Sequence, residues 1–215
     1  MKSFVVIGLG RFGSEAALQL CAHGREVLAI DLHQDLVQHV SDKVTQAVVA
    51  DARDVDVLRS IGVQDFDCGL VAIGGNLADS VLATMHLKEL GVPYVVCKAQ
   101  DEVHKQVLLK LGADKVVIPE KENAMRLAKS LASTNVLDYI ELSEDFGIIE
   151  IPAPKSWRDK SLIELNIRAK LGVNIIGIKR QGEITISPAA DFRILEGDVL
   201  VVLGSTEALN AVQKL

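Results

Sequence analysis

The chain has 215 residues, of which 49% are hydrophobic and 24% charged, and its formal net charge at pH 7 is −6. This length and composition allow one or two well-packed domains, which excludes a disordered chain and a small disulfide-stapled scaffold. The negative charge comes without any Lys/Arg cluster, which excludes a nucleic-acid surface, because phosphate backbones are bound by clustered cations.

The sequence also argues against membrane insertion and disulfide bonding. No apolar run reaches the ~18–20 residues of a spanning helix, and the first apolar stretch breaks at Arg11, too early for a signal peptide. Cys21, Cys68 and Cys97 lie far apart in apolar sequence, so we expect reduced core residues. A cytoplasmic protein is predicted.

From residue 4 to residue 132, short apolar runs alternate with segments of helical periodicity, as in successive βα units. Strands are predicted at 4–7, 27–31, 47–50, 68–73, 94–98 and 115–118. Helices are predicted at 12–22, 34–40, 55–61, 78–90, 102–111 and 121–131. Gly24, Gly62, Gly91 and Gly112 follow four of these helices as left-handed caps. The pattern predicts an α/β domain over residues 1–132, a Rossmann-like doubly wound parallel sheet.

The pattern of apolar residues changes after residue 133. Strands are predicted at 136–142, 146–151, 173–179, 183–187 and 198–203, with short helices near 162–165 and at the end of the chain. This pattern predicts a small α+β domain over residues 136–215. The junction at 132–135 is expected to be helical or a short ordered connection.

The segment Gly8-Leu9-Gly10-Arg11-Phe12-Gly13 has the G-x-G-x-x-G spacing and lies between a predicted strand and a predicted helix. Gly8 permits the tight turn, Gly10 permits backbone to approach phosphate, and Gly13 permits the helix to pack closely on the sheet. The helix N-terminus offers unpaired N–H groups and a positive dipole end to an anion. These features predict a nucleotide-binding site.

Two charged residues narrow the choice of nucleotide that the site is predicted to bind. Asp31 ends the second predicted strand, where its carboxylate accepts ribose hydroxyls and repels a 2′-phosphate, which favours NAD, ATP or ADP over NADP. The alternative for Asp31 is a cap of the turn before the next helix. Arg11 places a guanidinium within the glycine loop, which suggests that a terminal phosphate is sensed; the alternative is a solvated loop arginine.

Other candidates follow the later strands, at the carboxyl edge where open α/β sheets bind ligands. They are Asp51, Ala52, Ile73, Gly74, Asn76, Lys98 and Glu120, which join Gly8, Gly10, Arg11, Phe12, Gly13 and Asp31. Asp51 is a candidate acceptor for the adenine amino group or a turn-forming residue. Lys98 is a candidate phosphate ligand. Glu120 is either a ligand for a cation at the phosphates, Mg²⁺ or Na⁺, or a helix N-cap.

No catalytic machinery is recognisable. The five histidines are dispersed without a nucleophile or carboxylate at a known spacing, and no Walker lysine motif is present. The sequence therefore predicts a binding protein that is not an enzyme, with an NAD-dependent oxidoreductase as the rival hypothesis.

At this point the motifs support a family resemblance. Residues 4–13, Ala29-Ile30-Asp31, Val71-Ala72-Ile73-Gly74 and Val96-Cys97-Lys98-Ala99, with 165–170 and 186–188 in the second half, resemble the RCK (regulator of K⁺ conductance) family. The chain looks most like the cytosolic regulatory subunits of Ktr-type potassium transporters, with an RCK_N and an RCK_C domain.

The resemblance implies a homo-octameric ring that docks on a membrane channel subunit, with ATP favouring the conducting state and ADP the closed state. It implies that Arg11 reaches the terminal phosphate of a neighbouring subunit's nucleotide, and that Glu120 lies near an activating cation. Asp51 departs from the asparagine of close relatives, so NAD(H), as in Trk-type regulators, stays open as the alternative ligand.

The resemblance also implies inhibitory cyclic di-AMP binding across a dimer of C-terminal domains. The corresponding positions are Leu162, Ile163, Ile167, Arg168, Asn174, Ile175, Ile176 and Pro188. A basic side chain and an amide beside aliphatic groups suit phosphate and adenine, although the same residues also suit a dimer core.

Overall fold

The computed structural model describes residues 1–132, 137–143 and 145–215. These residues form two compact units, Met1–Glu120 and Lys121–Leu215. The predicted junction at 133–135 and the first residue of the strand predicted at 136–142 lie outside the described residues.

The first unit is a six-stranded parallel sheet in the order β3-β2-β1-β4-β5-β6. Its strands are β1 (Ser3–Ile7), β2 (Glu26–Asp31), β3 (Gln46–Val49), β4 (Cys68–Val71), β5 (Tyr94–Lys98) and β6 (Lys115–Val117). The helices that follow them are α1 (Arg11–Ala22), α2 (Gln34–Val40), α3 (Val55–Ser60), α4 (Leu77–Glu89), α5 (Glu102–Lys110) and α6 (Pro119–Ala132). The predicted doubly wound fold is confirmed, and each predicted element is present with ends shifted by at most two residues.

Burial on both faces of the sheet explains why the sequence signal is strong. All four residues of β4 are buried. One face packs on Leu58, Leu87 and Leu108, and the other packs on Ala17 and Val40. Strands covered on both sides are continuous apolar runs, which is the pattern of a parallel sheet. Gly24, Gly62, Gly91 and Gly112 have positive φ angles, as predicted for helix caps.

The second unit is a five-stranded antiparallel sheet in the order β10-β9-β11-β8-β7. Its strands are β7 (Asp138–Glu141), β8 (Phe146–Pro152), β9 (Asn174–Arg180), β10 (Glu183–Ile186) and β11 (Val199–Ser205). Three short helices accompany them, α7 (Leu162–Leu165), α8 (Ile167–Leu171) and α9 (Thr206–Val212). The predicted α+β class is confirmed. Helix α8 was not predicted; it has no side-chain N-cap and follows directly on a left-handed turn at Asn166.

Helix α6 lies at the division between the two units. From Lys121 onward its residues group with the second unit, although the sequence-based boundary lies beyond its end, at 132–136. Arg126 pairs with Asp138 of β7 at 3.3 Å, which is one contact that joins the helix to the second sheet. Among the helices of the described residues, none has the length and apolar character needed to cross a membrane.

The second unit contains an ion pair whose carboxylate is buried and whose guanidinium is partly exposed. Asp198, with a fully buried side chain, accepts hydrogen bonds from Arg180 Nε at 2.7 Å and Nη2 at 2.8 Å, and from the Leu195 backbone N–H at 2.8 Å. The Arg180 guanidinium also lies 5.0 Å from the centre of the Phe192 ring. The hydrogen bonds from Arg180 lower the pKa of Asp198, so the carboxylate is held in its charged form.

Candidate nucleotide-binding site

The glycine loop has the tight geometry that its motif predicts. Gly8 has a φ of +92°, and a Cβ at this position would lie 3.0 Å from the backbone of Ala72 and Ile73. A Cβ on Gly13 would overlap the Gly8 carbonyl oxygen. Gly10 instead faces open space and occupies the N-cap position of α1, where no side chain caps the first turn. The loop therefore presents its backbone and the helix N-terminus to the space above Gly10.

Asp31 connects this loop to the end of β2. Its Oδ2 accepts the Leu9 N–H at 2.6 Å, and its Oδ1 accepts the His33 N–H at 2.9 Å. The His33 Nδ1 lies 3.0 Å from the same Oδ1. The turn-capping role of Asp31 is therefore present in the structure. A carboxylate has about four acceptor sites, so these two backbone bonds leave room for a ribose hydroxyl.

A cavity of about 300 Å³ opens at the carboxyl ends of β1, β2, β3 and β4. This is the small end of the range for ligand pockets, and the position is the one where doubly wound sheets bind nucleotides. The cavity brings together eight of the predicted residues: Gly8, Gly10, Asp31, Asp51, Ala52, Ile73, Gly74 and Asn76. Sequence reasoning missed other lining residues, among them Leu32, His33, Leu36, Arg53, Gly75 and Asp79.

Arg53 is the most consequential of the missed residues. Its Nη2 lies 2.7 Å and its Nε 3.1 Å from Asp51 Oδ2, and Nε also lies 2.9 Å from Oδ1. The Arg53 backbone N–H donates to Asp51 Oδ1 at 3.0 Å, and the guanidinium lies 3.8 Å from Asp79. The hydrogen bonds from Arg53 lower the pKa of Asp51. Asp51 therefore has the turn role considered from sequence, and Arg53 already engages both of the oxygens suggested for adenine.

The remaining predicted residues lie outside the cavity lining, around the glycine loop. Lys98 Nζ pairs with Glu120 Oε1 at 2.5 Å and lies 5.7 Å from the centre of the Phe12 ring. A Cβ on Gly74 would lie 3.6 Å from the same ammonium group, which places Lys98 at the rim of the cavity. Arg11 is exposed and begins α1.

Glu120 lies in the first turn of α6, after Pro119, so the N-cap alternative for Glu120 is wrong. The hydrogen bond from Lys98 is the main cause of a lowered pKa for Glu120, and the nearby Arg11 charge contributes. Within residues 1–132, 137–143 and 145–215, no three His, Cys, Asp or Glu side chains gather into a metal-holding group.

A buried polar network supports the loop after β4. Gln100 donates its backbone N–H to His104 Nδ1 at 3.3 Å, and the other ring nitrogen, Nε2, lies 3.3 Å from Ser80 Oγ. The Gln100 side-chain amide donates to the Gly74 carbonyl oxygen. Burial lowers the pKa of His104, which favours the neutral ring that this arrangement requires. His104 therefore has a structural role.

The cysteines behave as core residues. Cys68 and Cys97 are buried, Cys21 is half-buried, and all three are free thiols. Burial raises the pKa of Cys68 and of Cys97 to about 11, so both remain protonated at neutral pH.

A second cavity, of about 350 Å³, lies in the C-terminal unit. It brings together six of the residues suggested for cyclic di-AMP, and these are Leu162, Ile163, Ile167, Arg168, Asn174 and Ile175. Asn166 and Val173 complete the lining. Ile176 and Pro188 are not part of it: the register of β9 with β11 is irregular between Ile175 and Gly177, and Pro188 lies beyond the end of β10.

Comparison with known proteins connects these sites to a family. The chain matches the TrkA-N domain over residues 4–119 and the TrkA-C domain over residues 147–215. It is 44% identical over 213 residues to the Ktr system potassium uptake protein C of Bacillus subtilis (strain 168), covering 99% of this chain and 96% of that protein. It is also 44% identical over 203 residues to the Ktr system potassium uptake protein A of the same organism, covering 94% and 91%.

Solved structures share the fold. The GsuK RCK domain superposes with a TM-score of 0.70 at 21% identity, over 99% of this chain and 47% of that one. The GsuK channel bound to NAD gives a TM-score of 0.70 at 18% identity, over 99% and 39%. Both domains are thus matched in sequence and the fold in structure, and the chain belongs to the family of TrkA-N and TrkA-C domain proteins, the RCK family that its motifs resemble.

Proposed function

We propose that this protein is a nucleotide-binding regulatory subunit of a Ktr-type potassium uptake system and has no catalytic activity. The observation that carries the proposal is the cavity bounded by the glycine loop and Asp31, in a chain that is 44% identical to Ktr system proteins. The subunit acts in the cytoplasm, attached to the membrane through a channel subunit, and assembles as a homo-octameric ring.

The ligand pair is ATP and ADP. Asp31 suits a ribose with a free 2′-hydroxyl, and Gly10 leaves open space for phosphate at the N-terminus of α1. Arg11 and Lys98 add positive charge at this edge, as a polyphosphate requires. A ligand shifts an equilibrium between ring shapes only through its differential affinity for them. The terminal phosphate is what distinguishes ATP from ADP, and the exposed Arg11 is suited to bind it on a neighbouring subunit.

Glu120 is the protein's ligand for a cation at the phosphates, Mg²⁺ or Na⁺. Its exposed carboxylate offers the hard oxygen donor that both ions prefer, and nucleotide phosphates supply further oxygens. The cation, when bound, offsets negative charge between the carboxylate and the phosphates.

NAD(H) is the alternative ligand, supported by the GsuK channel bound to NAD, which shares this fold. The oxidoreductase hypothesis has less support. His33 lines the cavity, but at the Asp31 end where ribose binds, and His104 is buried with a lowered pKa. Neither histidine is placed as a general base beside a reacting ring.

The second unit carries the proposed inhibitory site for cyclic di-AMP. Arg168 offers a guanidinium for phosphate and Asn174 an amide for adenine, beside aliphatic residues of the same cavity. We assign nucleotide binding to the domain of residues 1–132 and this second site to the domain of residues 136–215.

Parallel titration calorimetry with ATP, ADP and NADH tests the proposal, combined with small-angle scattering of the assembled protein. We expect ATP and ADP to compete for one site and to give rings of different dimensions. Preferential binding of NADH would instead support the alternative, a Trk-type regulator that responds to NAD(H). Equal binding of ATP and ADP without any change in dimensions would refute the gating role.

A further inference from the structure

Lys98 and Glu120 form an ion pair whose two side chains differ in solvent exposure. The Lys98 side chain is 14% exposed and extends from the end of β5, whereas the Glu120 side chain is 65% exposed. The lysine is therefore held by its surroundings, and the glutamate reaches it from the first turn of α6. The ammonium group is the less mobile member of the pair.

The surroundings of the Lys98 ammonium group match those of a phosphate ligand. It lies against the Phe12 ring of the glycine loop and beside Gly74, which lines the cavity. The open space above Gly10 belongs to the same loop. The ammonium group thus pairs with a carboxylate of α6 and lies near two residues at the carboxyl edge of the sheet, Phe12 of the glycine loop and Gly74 of the cavity lining.

We infer that the Glu120 carboxylate and a nucleotide phosphate compete for Lys98, and that Lys98 exchanges the carboxylate for a phosphate oxygen when a nucleotide binds. The inference rests on the proposed nucleotide site. Both partners are anions, and the ammonium group offers one compact positive charge on a stem that is mostly buried. A close approach to phosphate therefore weakens the hold on Glu120, and the Glu120 pair lowers the affinity for phosphate in return.

The exchange has a consequence for the rest of the chain. Glu120 is the last residue of the first compact unit, and the helix in which it lies continues into the second. Transfer of Lys98 to phosphate releases the carboxylate at this point of the chain. Lys98 is thus a positioning residue that reports phosphate occupancy to the start of α6, and the freed carboxylate becomes available to a cation.

A double-mutant cycle measured by calorimetry with ADP tests the exchange. Chelator is present and tetramethylammonium replaces Na⁺, so that no small cation bridges Glu120 to phosphate. We expect Glu120→Gln to tighten ADP binding about threefold to fivefold, the scale of an ion pair with one exposed member. Lys98→Met should weaken binding roughly tenfold or more, through loss of a charge-assisted bond. In the Lys98→Met background, Glu120→Gln should have no effect.

Matched controls remove the same charges elsewhere. Lys88→Met removes a lysine paired with Asp114 at 3.0 Å, and Glu196→Gln removes a glutamate paired with Arg158. Neither should change ADP affinity, and circular dichroism checks that each variant is folded. The cycle separates exchange from simple repulsion between Glu120 and phosphate. If repulsion alone acted, Glu120→Gln would tighten ADP binding equally with Lys98 and with Met at position 98.

The remaining outcomes are also decisive. An equal effect of Glu120→Gln in both backgrounds, no effect, or weaker binding would overturn the exchange while leaving nucleotide binding intact. Failure of the unmodified chain to bind ADP, ATP or NADH would overturn the proposed function itself, and the exchange with it.

Discussion

Two arginine–aspartate pairs of similar geometry lie in the two units and have different surroundings. In the first unit, Arg53 Nη2 lies 2.7 Å from Asp51 at the mouth of the cavity, where the Asp51 side chain is 35% exposed. In the second unit, Arg180 holds Asp198 at 2.7–2.8 Å, and the Asp198 side chain is fully buried. The pairing lowers the pKa of both carboxylates.

The difference shows that burial, more than hydrogen-bond length, decides what such a pair does. An exposed pair contributes little stability because water solvates each ion when the pair breaks. A buried carboxylate that loses its partner retains a charge that water cannot reach. The pair in the second unit therefore stabilises the fold, whereas the pair in the first unit shapes a cavity wall. Burial and exposure also distinguish His104, which is buried, from Arg11, which is exposed.

The largest expected effect is on stability. Arg180→Met should lower the free energy of unfolding of the second unit by about 3 kcal/mol, because it leaves Asp198 charged and buried. The matched change at the cavity, Arg53→Met, should cost far less, because water solvates both ions when this pair is lost. Urea denaturation of both variants measures the difference. Equal losses would show that burial does not separate the two pairs.

The next effect concerns phosphate recognition by an exposed arginine. Arg11→Ala should reduce the preference for ATP over ADP roughly tenfold, because one charge-assisted bond to the terminal phosphate is lost, and should leave ADP affinity nearly intact. Calorimetry with both nucleotides measures the ratio, and the exposed Arg25 supplies a control as Arg25→Ala. A similar loss for ATP and ADP would assign Arg11 a general electrostatic role.

A smaller effect follows from the buried histidine. The pKa of His104 is lowered in the folded chain, so the unfolded chain binds a proton first as the pH falls below the ordinary histidine value of about 6.5. The stability contributed by neutral His104 is present above this pH. It should decrease as the pH falls from 7 to 5.

Thermal unfolding across this pH range measures the loss for His104. His104→Gln should flatten the pH dependence, because it removes the imidazole whose pKa is lowered by burial. An unaltered profile in His104→Gln would mean that another group is responsible for the acid sensitivity.

The smallest effect is expected at Asp51. Asp51→Asn should leave ADP affinity within about twofold, because the amide oxygen still accepts the Arg53 N–H that forms the turn. A larger change of ADP affinity in Asp51→Asn would instead indicate that residue 51 contacts the base directly. Calorimetry with ADP at neutral pH distinguishes these two outcomes.

The sequence predicted most of the fold because its signals are local. Helices α1, α5 and α6 are amphipathic, whereas α4 has little apolar periodicity, and four of the helices α1 to α6 end at glycines whose positive φ angles match the prediction. The glycine loop was recognisable from the short spacing of its glycines between a strand and a helix, although the backbone that crowds Gly8 belongs to Ala72 and Ile73, which are distant in sequence. Helix α8 was missed because, unlike the shorter α7 with its Ser161–Glu164 capping box, it has no side-chain N-cap to mark its start.

The candidate site was only partly predictable. Residues at strand ends were found, since parallel strands bring their carboxyl ends to one edge. Arg53 and Asp79 were missed because each lies one turn or loop beyond a strand, where no periodic pattern indicates the direction of the side chain. The pairing of Asp51 with Arg53 has the i to i+2 spacing of an Asx turn, and this signal was available but was not used.

By itself, the sequence determined the two-domain α/β and α+β organisation, the nucleotide loop, the acid at the end of β2 and the resemblance to the RCK family. These depend on apolar periodicity and on short motifs, which are properties of neighbouring residues. Only the tertiary structure decided which distant charges pair: Lys98 with Glu120, and Arg180 with a buried Asp198. The energy of a charge depends on burial and on partners brought together by folding, and no spacing along the chain encodes either one.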